Sequence, residues 1–307
     1  MSVYDTQEPC GVLVVNKPEG PTSHDIINVV RKIYGTKRVG HTGTLDPMAT
    51  GVLVVLIGRA AKAAEYISAG KKSYRALLRL GMTTDTQDTT GKVLTEYQGA
   101  LPKPDDVINV CSSFVGKSMQ TPPMYSALKV DGKKLVDLAR KGIEIERESR
   151  PIEIFSILCK PESERDYLID VSCSGGTYIR TLCHDIGQKL ACGGVMASLC
   201  RTETCGFSLS ESHTPDELKS MTKEELYSLL IPTESLFSSL PAVNLPPFYE
   251  KLCRSGCEIY QKKIHTTFEP AQRVRICSQN GEFFALGEVS LFDGESAVKA
   301  TKIFRLE

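Results

Sequence analysis

Short runs of apolar residues recur along the chain, separated by segments rich in glycine, proline and charged residues. Runs of this length predict β-strands, and an unbroken apolar run is typical of a strand that is covered on both faces of its sheet. The predicted strands are residues 12–15, 52–57, 74–80, 152–159 and 167–172. Several of them are continuous enough for central positions in a sheet.

Between the predicted strands, apolar residues recur at intervals of three and four, which is typical of amphipathic helices. The first helix follows Thr22 and Ser23, whose hydroxyl groups are common at helix N-termini. The irregular order of strands and helices predicts an α+β fold rather than a doubly wound sheet. The apolar faces consist of Ile26, Ile27, Val30 and Ile33 in the first helix, Val107, Ile108, Cys111, Phe114 and Val115 in the second, and Ile179, Leu182, Cys183, Ile186 and Leu190 in the third.

A proline-rich break sets off the last part of the chain. Pro241, Pro246 and Pro247 prevent a continuing helix, and short β-like segments follow them. Asn280-Gly281 and Asp293-Gly294 are hairpin-type turn sequences between these segments, which cover residues 274–276, 283–286, 289–291 and 297–303. We therefore predict one domain over residues 1–237, and a linker with a small β domain over residues 238–307.

Composition limits the classes of protein to consider. Lys plus Arg and Asp plus Glu each total 37, so the net charge of this 307-residue chain gives no evidence of a nucleic-acid partner. The 11 cysteines contain no Cys-x-x-Cys pair and do not group with the five histidines at zinc-like spacing, which predicts reduced thiols and no metal site. No stretch approaches the roughly 18 apolar residues of a membrane helix, and the N-terminus does not resemble a signal peptide. We therefore expect a soluble cytoplasmic protein.

One loop presents a single carboxylate among small residues. Its sequence is GHTGTLDP at residues 40–47, and MATG and a predicted strand follow it. Glycine allows tight turns and close approach of a ligand, and Pro47 biases Asp46 toward an extended conformation. Asp46 is therefore the candidate catalytic residue, although an Asp-Pro pair by itself is also an ordinary turn sequence.

This loop resembles the catalytic motif of the TruB family of tRNA pseudouridine synthases, and further family-like segments occur in the family's order along the chain. The resemblance implies a catalytic domain built on a mixed, largely antiparallel sheet, an RNA-gripping insertion near residues 120–150 and a PUA-like C-terminal domain. It also implies a monomer that isomerises the uridine at position 55 in the T arm of tRNA, without a cofactor or an obligatory protein partner. The further segments are residues 16–24 (NKPEGPTSH), 72–75 (KSYR), 79–81 (RLG), 83–88 (TTDTQD), 120–129 (QTPPMYSALK), 173–180 (CSGGTYIR) and 199–202 (LCRT).

The resemblance also assigns the catalytic roles. It makes Asp46 the catalytic aspartate, either as a nucleophile or as the base that drives glycosidic cleavage, and the sequence does not choose between these routes. An aspartate in a partly dry pocket stays ionised beside a cation, and Arg180 matches that partner, with Asp88 as a second partner of Arg180. Tyr74 matches the tyrosine that stacks on the flipped uracil and is a candidate to remove its C5 proton.

Further residues match positions that bind the RNA. Tyr178 matches a residue that lines the pocket, and Leu199 one that packs on the opposite face of the uracil, although a leucine in an apolar stretch is more often a core residue. His41 matches a residue that inserts into the RNA and stacks where bases have been extruded. The lysines expected to bind the substrate are Lys17, Lys62, Lys72 and Lys129.

Two alternatives to a stand-alone enzyme remain open on the sequence. One is a guide-RNA-dependent pseudouridine synthase, although this chain lacks extended lysine-rich tails. The other is an RNA-binding folding factor for tRNA whose catalytic role is secondary, although binding alone does not require an ionised aspartate in a base pocket. The family often has glycine where Cys205 stands, which puts the local turn in doubt, with Gly206 as a possible substitute.

Overall fold

The computed structural model describes residues 8–67, 70–130 and 132–304. The strands in chain order are β1 (Gly11–Lys17), β2 (Val39–His41), β3 (Thr50–Ile57), β4 (Lys72–Leu80), β5 (Met82–Thr84), β6 (Val93–Glu96), β7 (Gly116–Gln120), β8 (Lys129–Val130), β9 (Lys133–Lys134), β10 (Arg150–Pro161), β11 (Asp166–Cys173), β12 (Gly194–Thr204), β13 (Phe207–Ser208), β14 (Ala242–Leu245), β15 (Ile259–Tyr260), β16 (Arg273–Ser278), β17 (Phe283–Phe292) and β18 (Glu295–Ile303). The helices are α1 (Ser23–Tyr34), α2 (Ala64–Ile67), α3 (Pro104–Ser112), α4 (Leu135–Ala139), α5 (Ile179–Lys189), α6 (Pro215–Ser220), α7 (Lys223–Ser228) and α8 (Pro247–Arg254).

Nine strands of the described chain form the central sheet. Seven lie in the order β1-β3-β12-β4-β11-β10-β7, while β2 pairs with β3 and β13 pairs with β12. The pairs are antiparallel except for β3 with β12. This mixed, largely antiparallel sheet with its helices confirms the predicted α+β fold, and the predicted strands correspond to β1, β3, β4, β10 and β11. Strand β12 is not among them, because polar residues such as Arg201 and Glu203 interrupt its apolar pattern.

Strands β1 and β3 are buried on both faces, which explains their unbroken apolar runs. Leu13 and Leu53 on one face pack against α1, α6 and α7, whereas Val12 and Val54 on the other face belong to a second hydrophobic cluster. Helix α1 begins after Thr22, whose side chain accepts a hydrogen bond from the backbone N–H of residue 25. The sequence-predicted capping residue therefore fixes where this helix starts.

Helices α3 and α5 cover the other half of the sheet. The apolar face predicted for α5 is buried against β4, β10, β11 and β12. The second predicted helix is shorter than its apolar pattern, since α3 ends at Ser112. Val115 therefore does not continue its face and is exposed.

The chain after the proline-rich break forms a five-stranded sheet in the order β14-β16-β17-β18-β15. Asn280-Gly281 and Asp293-Gly294 lie at its two hairpin turns, and Asp293 and Gly294 both have positive φ angles, of 50° and 80°. The two segments predicted at 283–286 and 289–291 are a single strand, β17. Its pairing with β18 shifts register at Leu286/Gly287, which explains the interruption in its pattern.

This second sheet shares a core with the rest of the chain. The ring of Phe237 lies 5.9 Å from that of Phe283 and 5.8 Å from that of Phe304, measured between centroids. These rings join the cluster that contains Val12 and Val54. The division between residues 237 and 238 stays a prediction, since apolar side chains on both sides of it pack together.

We expect Phe237→Ala to lower the free energy of unfolding by about 3–5 kcal/mol, because it removes a buried ring from a packed aromatic cluster. Urea unfolding would measure the loss. Phe248→Ala is the matched control, since that ring in α8 is 67% exposed. The control should change stability by less than about 0.5 kcal/mol. Equal effects of the two substitutions would contradict a shared aromatic core.

Candidate active site

The loop between β2 and β3 carries Asp46. Most carbonyl oxygens of this loop accept a hydrogen bond. The carbonyl of Asp46 accepts from Ala49 N at 3.0 Å, and that of Pro47 accepts from Gly20 N at 2.9 Å. Ser23, at the first turn of α1, holds both polar groups of Leu45: its Oγ accepts from Leu45 N at 2.8 Å and donates to Leu45 O at 3.1 Å. The loop is therefore rigid at the residues on either side of the carboxylate.

Two buried cations supply the remaining donors. Lys17 Nζ donates to the carbonyl oxygens of Pro18 at 2.9 Å, Pro47 at 3.1 Å and Ala49 at 2.6 Å. Arg201 donates to Gly43 O at 3.1 Å and Thr44 O at 3.4 Å. Because buried carbonyl groups need partners, these side chains are part of the framework of the loop.

The substrate-binding role of Lys17 stays a prediction, and in this structure the side chain is turned into the protein. Its side chain is fully buried, and the three protons of an ammonium are matched by three carbonyl oxygens. Burial lowers the pKa of Lys17 from 10.5 to about 8, while the nearby Asp46 opposes the change. Lys17 therefore holds the backbone of the loop that carries Asp46 through these hydrogen bonds.

Arg180 meets the carboxylate of Asp46 with two nitrogen atoms. Its Nε lies 2.9 Å from Asp46 Oδ2, and its Nη2 donates to Oδ1 at 3.3 Å. The Arg180 side chain is 5% exposed and that of Asp46 is 36% exposed, so the cation is buried behind a carboxylate that faces outward. The carbonyl oxygens of Thr86 and Tyr125 accept from the remaining guanidinium donors, at 3.1 and 2.8 Å. A two-point pair of this kind fixes the plane of the carboxylate as well as its charge.

The backbone before α5 places Arg180. Gly176 has a φ of 88°, which turns the chain from β11 toward the helix. The side chain of Gln120 then holds Tyr178 at both backbone groups, accepting from its N–H at 2.8 Å and donating to its carbonyl at 3.1 Å. Arg180 follows in the first turn of α5. Gln120 was not singled out as a site residue, although it lies in the QTPPMYSALK segment.

Asp88 is buried next to this pair and anchors its own turn. Its Oδ1 accepts from Thr86 Oγ1 at 2.7 Å, from Thr90 Oγ1 at 2.6 Å and from Thr90 N at 3.0 Å. Its Oδ2 lies 3.9 Å from Arg180 Nε. The turn also presents the Thr86 carbonyl to Arg180, so Asp88 supports the arginine through backbone geometry and through charge.

Tyr74 and Leu199 lie on the neighbouring strands β4 and β12, in one hydrophobic cluster with Leu45 and Ala49 of the loop. Both side chains are nearly buried. Burial raises the pKa of the Tyr74 hydroxyl, with Arg201 opposing, so this hydroxyl is protonated at neutral pH. Tyr178 is half-buried at the start of α5, and burial raises its pKa as well. The structure thus brings Asp46, Arg180, Tyr74 and Leu199 into one region.

His41 ends β2 and is half-buried beside the same loop. Burial, followed by the charge of Arg201, lowers the pKa of its imidazole, so His41 is neutral at pH 7. A neutral ring suits the stacking role predicted for it. That role stays a prediction.

The other predicted lysines are spread over the surface and the rim of the site. Lys72 is nearly buried, and a Cβ placed on Gly43 would lie 3.7 Å from its ammonium. Lys62 is exposed and donates to the carbonyl of Ile303 at 3.0 Å, and Lys129 is exposed at the start of β8. Lys62 also lines an open cavity of about 620 Å³ with three further basic side chains, Lys37, Arg38 and Arg59.

Cys205 and Gly206 resolve the doubt about the local turn. Both have positive φ angles, 56° for Cys205 and 80° for Gly206, in the turn between β12 and β13. Glycine at position 205 would relieve a conformation that most side chains avoid, and Gly206 adopts it freely. The turn therefore forms with cysteine in that place.

No group of His, Cys, Asp and Glu side chains in residues 8–67, 70–130 and 132–304 is arranged to hold a metal ion. Over the same ranges, no helix is long and apolar enough to cross a membrane.

The fold is an α+β protein in which a buried arginine orients one partly exposed carboxylate on a loop, and comparison with known proteins gives its family. The model described as "TruB family pseudouridylate synthase (N terminal domain)" matches residues 31–179, and "tRNA pseudouridylate synthase B C-terminal domain" matches residues 180–238. A tRNA pseudouridine synthase B of Alkaliphilus oremlandii is 42% identical over 297 residues, which are 96% of this chain and 98% of the relative. One of Clostridium kluyveri is 43% identical over 90% of this chain and 94% of its own length.

A solved structure has a similar fold. A chain in the crystal structure of a Cbf5-Nop10-Gar1 complex has a TM-score of 0.73 and 27% sequence identity, over 96% of this chain and 85% of that chain. The present chain belongs to the TruB family of pseudouridylate synthases, which are isomerases.

We expect Ser23→Ala to loosen the loop that carries Asp46, because it leaves the buried N–H and C=O of Leu45 without their partner. The free energy of unfolding should fall by about 1–3 kcal/mol, which urea unfolding would measure. Ser112→Ala is the matched control, since that exposed hydroxyl bonds only a carbonyl of its own helix, Ile108 O, at 2.9 Å. A loss no larger than that of the control would show that Ser23 does not hold the loop.

Lys17 produces a specific pH dependence. Between its folded pKa of about 8 and the ordinary value of 10.5, the unfolded chain binds more protons at this residue than the folded chain does. The contribution of Lys17 to the free energy of unfolding therefore rises with pH across that window. We therefore expect the free energy of unfolding of the wild type to increase relative to that of Lys17→Met as the pH rises from about 8 to 10.5. Urea unfolding at several pH values would test this, and a constant difference would refute it.

Proposed function

We propose that this protein converts the uridine at position 55 in the T arm of tRNA to pseudouridine, with Asp46 as the catalytic carboxylate. The observation that carries the proposal is the outward-facing Asp46 carboxylate, held at two points by the buried Arg180 on a rigid loop. The relatives named above are tRNA pseudouridine synthases B, which supports tRNA as the substrate. We expect the enzyme to act in the cytoplasm.

The reaction breaks the bond between N1 of uracil and C1′ of the ribose, turns the base and joins C5 to C1′. C5 then loses its proton and N1 takes one up, so that the product is an isomer of uridine. The reaction involves neither net oxidation nor net hydrolysis, so we propose no cofactor. Asp46 begins the reaction either as a nucleophile or as the base that drives glycosidic cleavage. Both routes require an ionised carboxylate with a free face, which the partly exposed Asp46 beside Arg180 provides.

The base must leave the RNA stack to reach Asp46, and apolar and aromatic side chains must replace its neighbours. We propose that Tyr74 and Leu199 enclose the uracil, with Tyr178 at the edge of the pocket and His41 stacking in the RNA. The neutral imidazole of His41 fits such a contact. Tyr74 enters the reaction as a neutral phenol, because burial raises its pKa. It must therefore lose its proton within the complex if it removes the one on C5.

Affinity for tRNA comes from the rest of the surface in this proposal. Lys62 and its three basic neighbours face a shared cavity in which phosphate groups would be attracted. Lys129 lies in the segment near residues 120–150, which we propose grips the RNA. We further propose that residues 238–307 are a PUA-like domain that adds RNA contacts to the catalytic domain of residues 1–237.

The structural relative named above was solved as a Cbf5-Nop10-Gar1 complex, so a partner-dependent enzyme is the second candidate. We propose instead that this chain acts as a monomer without a guide RNA or a protein partner. Pure protein with an unmodified tRNA transcript decides between the two. Pseudouridine at position 55 in that mixture supports the stand-alone enzyme.

We expect Asp46→Ala to abolish pseudouridine formation and to keep tRNA affinity within about tenfold, or roughly 1.4 kcal/mol. Chemistry depends on this one carboxylate, whereas affinity is spread over many phosphate contacts. Filter binding and single-turnover product mapping on folded protein would measure both quantities. Asp216→Ala is the control, because that aspartate on α6 is exposed and forms an ion pair with the neighbouring Lys219.

The wild-type protein in the same assay tests the folding-factor alternative. A folding factor whose catalytic role is secondary would bind tRNA but form little pseudouridine at position 55 even as the wild type. Wild-type-like turnover by Asp46→Ala would overturn the proposed mechanism, whatever the affinity.

A further inference from the structure

Arg201 is a fully buried arginine to which no step of the proposed reaction assigns a role. Its Nε donates to Val52 O at 2.7 Å, in addition to the bonds that Nη2 and Nη1 make to Gly43 O and Thr44 O. One guanidinium thus joins the start of β3 to the loop that carries Asp46. Such a fork of fixed donors matches carbonyl groups at several positions at once.

The strand register places Arg201 between the two halves of the site. In β12 it stands directly opposite Tyr74 of β4, and on its other side it pairs with Gly51 of β3. A Cβ on Gly51 would lie 2.3 Å from the carbonyl oxygen of Arg201, so only glycine allows the two strands to approach this closely. Leu199 lies two residues earlier, opposite Ala76.

The charge of Arg201 also affects the pKa values of neighbouring side chains. It opposes the burial effect on the pKa of Tyr74 and, after burial, is the next cause that lowers the pKa of His41 and of Lys72. Tyr74, His41 and Lys72 therefore share one buried cation as a neighbour.

We propose that Arg201 is a positioning residue that sets the separation between Asp46 and Tyr74. It fixes the loop through Gly43 and Thr44, and it fixes the tyrosine through the paired strands. The inference rests on the proposed function, because it assumes that both side chains act on one uracil. A lysine in this place keeps the positive charge but lacks the fork that bonds three carbonyl groups.

The first test is Arg201→Lys. We expect the single-turnover rate at saturating protein to fall by about a hundredfold, since a displacement near 1 Å at the reacting groups has an effect of that size. The dissociation constant for tRNA should change by less than about threefold, because the phosphate contacts are elsewhere. Arg31→Lys is the matched control, a partly buried arginine of α1 that bonds the Asn28 side chain and the Val39 carbonyl. The control should keep the wild-type rate.

The second test asks whether Arg201 acts through Tyr74. We expect the rate of the Arg201→Lys and Tyr74→Phe double variant to be higher than the product of the two single effects predicts, as for residues that act together. Added guanidinium ion should also raise the single-turnover rate of Arg201→Ala. If Arg201 served only the folding of the protein, the added ion would not raise the rate per folded molecule. Multiplicative effects together with no rescue would overturn the proposal.

Rates are compared per folded molecule, with the folded fraction measured by circular dichroism. If Arg201→Lys does not fold, Gly51→Ala tests the same link, since it forces β3 away from Arg201 without removing the charge. A normal rate in that variant would overturn the inference.

The wild type distinguishes failure of this inference from failure of the proposed function. Wild-type protein without activity on tRNA would overturn the proposed function. An active wild type with an equally active Arg201→Lys would overturn only the role of Arg201.

Discussion

The position of the loop that carries Asp46 depends on donors for its buried carbonyl groups. A loop of small residues with a proline cannot bond its own carbonyl oxygens as a helix or sheet does, and buried carbonyl groups without partners are costly. The fold supplies Ser23 from the first helix, Lys17 from the first strand and Arg201 from a strand late in the chain. Asp46 is therefore placed by two separate parts of the sequence, residues 17–23 and the strand that carries Arg201, and its carboxylate is partly exposed.

Buried cations are an expensive way to hold a loop, and the lowered pKa of Lys17 reflects that cost. Three carbonyl oxygens and the nearby Asp46 offset it. The strands that carry these cations belong to a sheet whose β1 and β3 are covered on both faces. A rigid core of this kind can hold charged groups that a small or loosely packed protein could not.

Each charged side chain around Asp46 is oriented by different partners. Arg180 holds the carboxylate plane of Asp46, while the carbonyl groups of Thr86 and Tyr125 hold Arg180. Asp88 Oδ1 accepts a hydrogen bond from Thr86 in its own turn, and Asp88 Oδ2 lies 3.9 Å from Arg180 Nε. The result is a carboxylate that is oriented from behind and open in front, which suits either chemical route from uridine to pseudouridine.

The sequence by itself determined the apolar strands, the start of α1, the α+β class and Asp46 with Arg180 as candidate residues, because these depend on local pattern and on a recognisable motif. It missed β12, whose polar residues hide its place near the centre of the sheet, and it did not indicate that the Lys17 side chain is buried against carbonyl groups of the loop. The strand pairing and this burial come from the tertiary structure. Whether a lysine or arginine turns outward to RNA or inward to a loop depends on which carbonyl groups lie next to it, and strands brought together from distant parts of the chain provide them.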